Sequence, residues 1–321
     1  MTHQTRYFVL GAIGLLVVGL LTGLFAYVNR GAALAVSVTG PAEFAYVPSN
    51  ASLVAYANVR EAMLSDFRER IRQIAPDDVG QADLEQQLGL NIERDIDHVV
   101  AFLAPGPAEG RPVWLVLLRG RFDTSRLEAV ALEGGATVSE HAGTRIVSID
   151  VGALAMAFME PGLVAIGDLG TVHQAADRGS AGASITSNDQ IMALLERVDS
   201  GSNAWAVGRF GDLASLGFLP DEVSAQMPAV TAFAVSGRVN GGLSGSVTIE
   251  GRDEAAGQNL RDVFRGFLAL TTMQTTGRSE LQAMVDSLQL SGTGTLATLS
   301  FWLPSEALDF IFSLAAPDTA P

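Results

Sequence analysis

LVAYANVREAM, residues 53–63, passes from a strand-like apolar run directly into the start of a helix, and AWAVGRFGDLA, residues 204–214, does so again. Ala55 and Ala57 match Ala206 and Gly208, Val59 matches Phe210, and Glu61 matches Asp212. Further matches arrive in the same order: Ala101-Phe102 with Ala232-Phe233, Gly120-Arg121 with Gly251-Arg252, and Gly143-Thr144 with Gly294-Thr295. Their offsets of 151, 131, 131 and 151 residues are those of a duplication that carries insertions and deletions. Strand-to-helix punctuation recurs in any α+β chain, so the weight rests on the shared order of the matches.

Each copy reads as β-α-β-β-α-β-β with an added helix, an antiparallel sheet carrying helices on one face. After SLVAYANV (52–59), the run REAMLSDFRERIRQIA (60–75) places Met63, Leu64, Phe67, Ile71 and Ile74 at helical spacing, and a polar helix follows to Leu88. HVVAFLA (98–104) and PVWLVLLRG (112–120) are continuous apolar runs and predict strands buried on both faces. Phe122-Asp123-Thr124 opens a helix that ends near Glu133. VSEHAGTRIVSI (138–149) and ALAMAFMEPGLVAIGD (153–168) predict hairpins turning at His141-Ala142-Gly143 and Glu160-Pro161-Gly162, with helices near 170–177 and 188–198. LSGSVTIE (243–250) alternates Leu243, Val247 and Ile249 with Ser244, Ser246, Thr248 and Glu250, so part of the sheet faces water or a partner.

The 321 residues are 48% hydrophobic and 17% charged, a composition that excludes a disordered chain and supplies a sizeable core. All 35 acidic residues follow residue 42, and 18 of the 20 Arg follow residue 30, so the region after residue 30 carries a net charge of −17. Such a surface repels phosphate backbones and argues against nucleic-acid binding. Cysteine is absent, which excludes disulfides, iron–sulfur clusters and thiol catalysis.

Ahead of the acidic region stands YFVLGAIGLLVVGLLTGLFAYV, residues 7–28, without a single charge. As a helix it is roughly 33 Å long, against a hydrocarbon core of about 30 Å, and it exceeds a secretory h-region. It predicts an uncleaved transmembrane anchor bracketed by Arg6 and Arg30, although Ala33-Leu34-Ala35 offers a cleavage site. The positive-inside bias puts the N-terminus in the cytoplasm and residues 31–321 outside. Gly19 and Gly23 form a small-xxx-small pair suited to helix–helix contact in lipid.

The candidates for chemistry are few. Glu93, Asp95, Asp97 and His98 lie within six residues, but alternate carboxylates on a helix diverge and His98 falls on the opposite strand face from Asp97, so a solvated turn is expected rather than a metal site. Gly167 and Gly170 sit between a strand and a helix without the remaining residues of a dinucleotide or P-loop fingerprint. No G-x-S-x-G elbow occurs, and His98, His141 and His173 fall in separate elements. Trp114, Trp205 and Trp302 stand in apolar runs, where core packing is expected rather than a stacking platform. In residues 252–273, Leu260, Val263, Phe264, Phe267 and Leu268 form one helix side expected to cover the chain's own sheet. No catalytic, cofactor or metal-binding residue is assigned.

VPSNASLVAYANVREAM, GLNIERDIDHVVAFL, AWAVGRF and the final LSGTGT together resemble uncharacterised bacterial single-pass, envelope-facing domains of unknown function. That resemblance covers the chain after about residue 45 and implies a location and a non-enzymatic role, with no functional residues attached. The resulting organisation is an anchor at 1–30, a tether at 31–48, α+β repeats at 49–199 and 200–316, and a tail at 317–321. The expected protein sits in the bacterial inner membrane with its bulk periplasmic. It contacts lipid through residues 7–28 and binds other membrane or envelope proteins as a scaffold or accessory subunit. The alternative is binding of an apolar ligand or lipid between sheet and helices.

Overall fold

The computed structural model describes residues 41–64, 91–106, 112–149, 154–181, 183–215, 229–239, 242–275 and 285–304. The anchor stretch 7–28 with Gly19 and Gly23, the first part of the tether, the helical run beyond Leu64 and the tail lie outside them. Among the described residues no helix is long and apolar enough to cross a membrane.

A 3-10 turn, Ala42–Tyr46, opens the described chain. Then come β1 (Leu53–Ala57), α1 (Val59–Leu64), α2 (Ile92–Asp95), β2 (Ile96–Pro105), β3 (Pro112–Gly120) and α3 (Thr124–Glu133). Two hairpins follow, β4 (Thr137–His141) with β5 (Thr144–Ile149) and β6 (Leu154–Glu160) with β7 (Leu163–Gly167). Helix α4 (Leu169–Ala181), a 3-10 turn at Ile185–Ser187 and α5 (Asp189–Leu195) close this half. The other half holds β8 (Ala204–Arg209), α6 (Phe210–Ser215), β9 (Val230–Val239), β10 (Gly242–Gly251), α7 (Glu254–Thr275), β11 (Gln289–Ser291) and β12 (Leu296–Pro304).

Among the described residues twelve strands join one antiparallel sheet in the order β11-β12-β10-β9-β8-β1-β2-β3-β7-β6-β5-β4. The two opening motifs meet at its centre, where Leu53 pairs with Gly208, Ala55 with Ala206 and Ala57 with Ala204. Ala55 thus faces its own sequence match, and a local two-fold passes between them. Hydrogen bonds obey it: Asn58 N donates to Asn203 O at 2.6 Å, and Arg209 N donates to Ser52 O at 2.9 Å. Farther out, Gly120 N donates to Gly162 O and Gly251 N to Thr295 O, both at 2.8 Å. Arg121 N likewise reaches Asp95 O at 2.6 Å, and Arg252 N reaches Ala229 O at 2.7 Å.

Two of the sequence matches do not follow the pairing. Ala55 faces Ala101 while Ala206 faces Val235, so the partner of Ala101 across the two-fold is Val235, three residues from the matched Ala232. An odd slip exchanges the faces of a strand, and Phe102 and Phe233 accordingly point to opposite sides. The match of 143–144 with 294–295 also fails. β12 lies beside β10 as β7 lies beside β3, whereas the β4–β5 hairpin sits at the far edge.

Helices cover both faces of the sheet, not the expected one. On one face Val54, Tyr56, Val100, Phe102, Leu115 and Leu117 pack with Phe44, Val172 of α4 and Ile191 of α5. On the other, Ala57, Val99, Leu118 and Val164 pack with Val59 and Met63 of α1. β2 is sealed on both sides as its unbroken apolar run requires, with Val99 and Val100 at 0% exposure.

Candidate functional site

The stretch read as the end of the tether is part of the core. Pro41, at φ −68°, leads into the 3-10 turn that delivers Glu43 and Phe44 to the middle of the sheet, and both are buried. Glu43 is 2% exposed. Arg119 Nε donates to Glu43 Oε1 at 2.7 Å, and His98 Nε2 stands 3.1 Å from Glu43 Oε2. Arg119 and His98 are directly paired across β2 and β3, which sets both side chains on the same face. Arg119 Nη2 also donates to Glu160 Oε1 at 2.7 Å. Tyr56 lies against this group, its ring centroid 5.6 Å from that of His98, and it stacks on Trp205 at 5.6 Å. Phe44 meets Trp205 edge-on at 6.0 Å.

Burial alone pushes the Glu43 carboxyl upward, but the His98 hydrogen bond and charge, with the Arg119 hydrogen bond, more than offset it and hold the group at about 2. Burial, reinforced by Glu43 and Glu61, raises the Tyr56 phenol. For Arg119 burial acts downward, and hydrogen bonds to Glu160 and Glu43 carry its pKa above the ordinary value. One Glu43 oxygen accepts from Arg119 and the other stands beside His98 Nε2, and the carboxylate is 2% exposed. The cluster is a latch joining residues 41–48 to the sheet.

The other sequence candidates separate. Asp95 accepts from Arg94 and from Asn91 N, Asp97 pairs with Arg60, and His98 turns to Glu43. Among the described residues no three His, Asp or Glu side chains are grouped to hold a metal ion. Between Gly167 and Gly170, Asp168 caps α4 by accepting from Thr171 N at 3.0 Å. A carboxylate already occupies the place a phosphate would take.

His141 and His173, expected apart, stack with centroids 4.2 Å apart, and His141 Nε2 lies 2.8 Å from Asp177 Oδ1. The group is exposed and joins a hairpin tip to a helix. Only the docking of β4–β5 on α4 creates it, and no local sequence pattern announces it. Of the tryptophans Trp205 is buried at 3%, as expected, but Trp114 is 37% and Trp302 56% exposed. An apolar run is not a core address when its alternate residues are polar. Trp302 shares a strand face with Ser300 and Thr298. Glu43 is the buried polar residue that the sequence reading does not single out. Its signal was the pair of aromatics, Phe44 and Tyr46, in a stretch otherwise fit for a tether.

No protein-family model matches the chain, and none of the curated proteins does. Among solved structures it is similar to crystal form I of TP0453, at 9% sequence identity and TM-score 0.49, over 86% of this chain and 98% of that one. Crystal form III of TP0453 gives 9% identity and TM-score 0.48 over 84% and 97%. No residue role is carried over from these likenesses. Fold and site define an α+β protein built on one large antiparallel sheet, with its polar core group engaged in a latch.

Proposed function

We propose that the protein is a non-enzymatic, membrane-anchored extracytoplasmic protein that binds other membrane or envelope proteins, in the manner of an accessory subunit. Its two halves, 49–199 and 200–316, are two copies of one α+β unit, a reading supported by the pairing of Ala55 with Ala206 and by the matched hydrogen bonds around it. The observation that carries the functional reading is the Glu43 latch. It fixes the chain to the sheet from residue 41 onward, only twelve residues beyond the apolar stretch. Those twelve span at most roughly 40 Å, so the sheet is held near whatever residues 7–28 are embedded in. The short reach suits a domain that meets partners in the same membrane, and Gly19 and Gly23 give the anchor a close-packing side toward their helices.

The test is mild detergent extraction of the full chain from bacterial membranes at native abundance, then native sizing and mass spectrometry of co-purifying proteins. The expected result is a membrane-bound chain in a complex larger than itself, with less partner recovered from the Gly19→Ile/Gly23→Ile variant. A lone monomer, or a chain found in the soluble fraction with residues 1–30 intact, overturns the reading.

A further inference from the structure

Beyond the latch, the sheet face that carries Trp205 changes character from one half to the other. In the first half one row across the sheet is Leu117–Ala165–Ala157, all at 0% exposure. The corresponding row of the second half is Thr248–Thr298–Ser291. The next row changes from Leu115–Gly167–Ala155 to Ser246–Ser300–Gln289, and Ser244 then pairs with both Arg238 and Trp302. The 3-10 turn, α4 and α5 cover the apolar version. Among the described residues α5 packs against β8 and β9 of the second half, residues 197–199 reach Glu250 and Ser246 of β10, and α7 lies over the opposite face, where Ala297, Leu299 and Leu303 are buried. Ser236, Ser246 and Thr248 are buried, the first two donating to Asp199 Oδ2 at 3.4 Å, so what remains open is the outer part of the face, where Ser244, Ser300, Gln289 and Arg238 surround an indole that is 56% exposed.

We propose that this surface binds a neutral glycan. An open indole stacks on the C–H face of a pyranose ring. Ser244, Ser300, Gln289 and Arg238 lie beside Trp302 and supply the donors and acceptors that sugar hydroxyls need. From Arg238 to Trp302 across the strands, and from Trp302 to Ser300 along them, the surface measures about 10 by 7 Å.

The charges on this face select against other occupants. Arg197 and Glu250 neutralise each other at 2.7 Å, and the Asp199 carboxylate, which accepts from the Ser236 and Ser246 hydroxyls at 3.4 Å, sets one anion on the face against its remaining cation, Arg238. A chain of net charge −17 beyond residue 30 repels a polyanion, while an uncharged ligand matches a face whose charges are already balanced. An apolar helix would strand these hydroxyls away from water at a desolvation cost. The hydroxyls also partly satisfy one another, Ser236 with Ser246 and Thr248 with Thr298, both at 2.9 Å, so the surface is ordered before any ligand arrives.

The test uses the full chain in a zwitterionic detergent free of sugar headgroups, with cellohexaose, maltohexaose and chitohexaose as probes. Binding is followed by calorimetry and by protection of tryptophan fluorescence from acrylamide. At least one oligosaccharide is expected to bind saturably and shield the indole. Trp302→Ala should weaken binding by at least about tenfold, Ser244→Ala and Arg238→Ala by several-fold, and Trp114→Ala should leave it unchanged. Thermal melts confirm that each variant is folded. No saturable binding of any probe, or binding undiminished in Trp302→Ala, overturns the proposal. So does an indole already shielded in the free chain that opens when the chain is cut after Pro304, since the chain's own C-terminal residues then own the face. A concentration-dependent dimer that shields Trp302 overturns it equally, with a second copy as the occupant.

Discussion

In the half built on β1, β2 and β3, the segment that precedes the first strand carries the acid, Glu43, and the sheet carries the base, Arg119. In the half built on β8, β9 and β10 the polarity is reversed. Arg197 precedes the strand, and Glu250 stands on the sheet where Arg119 stands in the other half, opposite Ala232 as Arg119 is opposite His98. The two clips differ in depth more than in chemistry. Glu43 is 2% exposed, whereas Arg197 and Glu250 are 29% and 28% exposed. Sign is therefore interchangeable between the halves, and burial decides what each clip contributes. The same holds for their surfaces, one apolar and covered, the other hydroxylic and open around Trp302.

Aromatic truncation separates the halves most strongly. Trp205→Ala removes the ring that Tyr56 and Phe44 pack on at the two-fold, and is expected to cost about 4 kcal/mol. Trp302→Ala, on the open face, should cost less than about 1 kcal/mol. Urea denaturation measures both, and a Trp302→Ala cost comparable to that of Trp205→Ala would show the second face to be covered as well.

The clips come next. Glu43→Gln leaves Arg119 and His98 without their shared anion and should destabilise by roughly 3 kcal/mol, whereas Arg197→Gln should cost under about 1 kcal/mol. A pH series sharpens the contrast. Folding lowers the Glu43 pKa from 4.5 to about 2, so its stabilisation is complete above the unfolded value and disappears as pH falls from about 4.5 toward 2. The wild-type chain should lose about 3 kcal/mol more than Glu43→Gln over that window. Parallel stability–pH curves for the two proteins would remove the latch from the account.

A third pair asks whether the halves are equivalent where they look alike. A Cβ on Gly120 would stand 2.1 Å from Asp95 O, and one on Gly251 would stand 2.8 Å from Gly257 N, so in both the strand end abuts backbone. Gly120→Ala and Gly251→Ala should each destabilise by about 2 kcal/mol. A tolerant Gly251 would mean that only the first half needs the close approach.

Much of the architecture was legible from the chain alone. The run HVVAFLA gave a strand sealed on both faces because nothing polar interrupts it, and His141-Ala142-Gly143 gave a turn, which the structure places at positive φ for Ala142 and Gly143. Ala55 pairs with the residue that matches it in sequence, Ala206, whereas the match of Ala101 is displaced by three residues in the pairing, which keeps the composition of a strand and inverts its faces. The site was far less legible. Glu43 gains its meaning from His98 and Arg119, 55 and 76 residues away, and tertiary pairing leaves no mark at its own position. Trp302 was readable in principle, since Thr298, Ser300 and Trp302 alternate with Ala297, Leu299 and Phe301. The density of apolar residues hid that period.

The smallest effect bears directly on why the second face is hydroxylic. Thr248 and Thr298 share a hydrogen bond at 2.9 Å, and Thr248→Val should cost about 1 kcal/mol by leaving Thr298 without its partner. Replacing both by Val removes donor and acceptor together, and the double variant should be nearly as stable as the wild-type chain. The first half already carries Leu117 and Ala165 at these positions, so the sheet geometry accepts apolar side chains there. If the double variant instead loses twice what the single one does, the hydroxyl row serves stability and the two halves differ only in how they hold the same sheet. If it is stable but its face collects apolar probes or self-associates, the hydroxyls keep that surface in water, and the halves have parted in function: one face closed to build the core, its counterpart open for use.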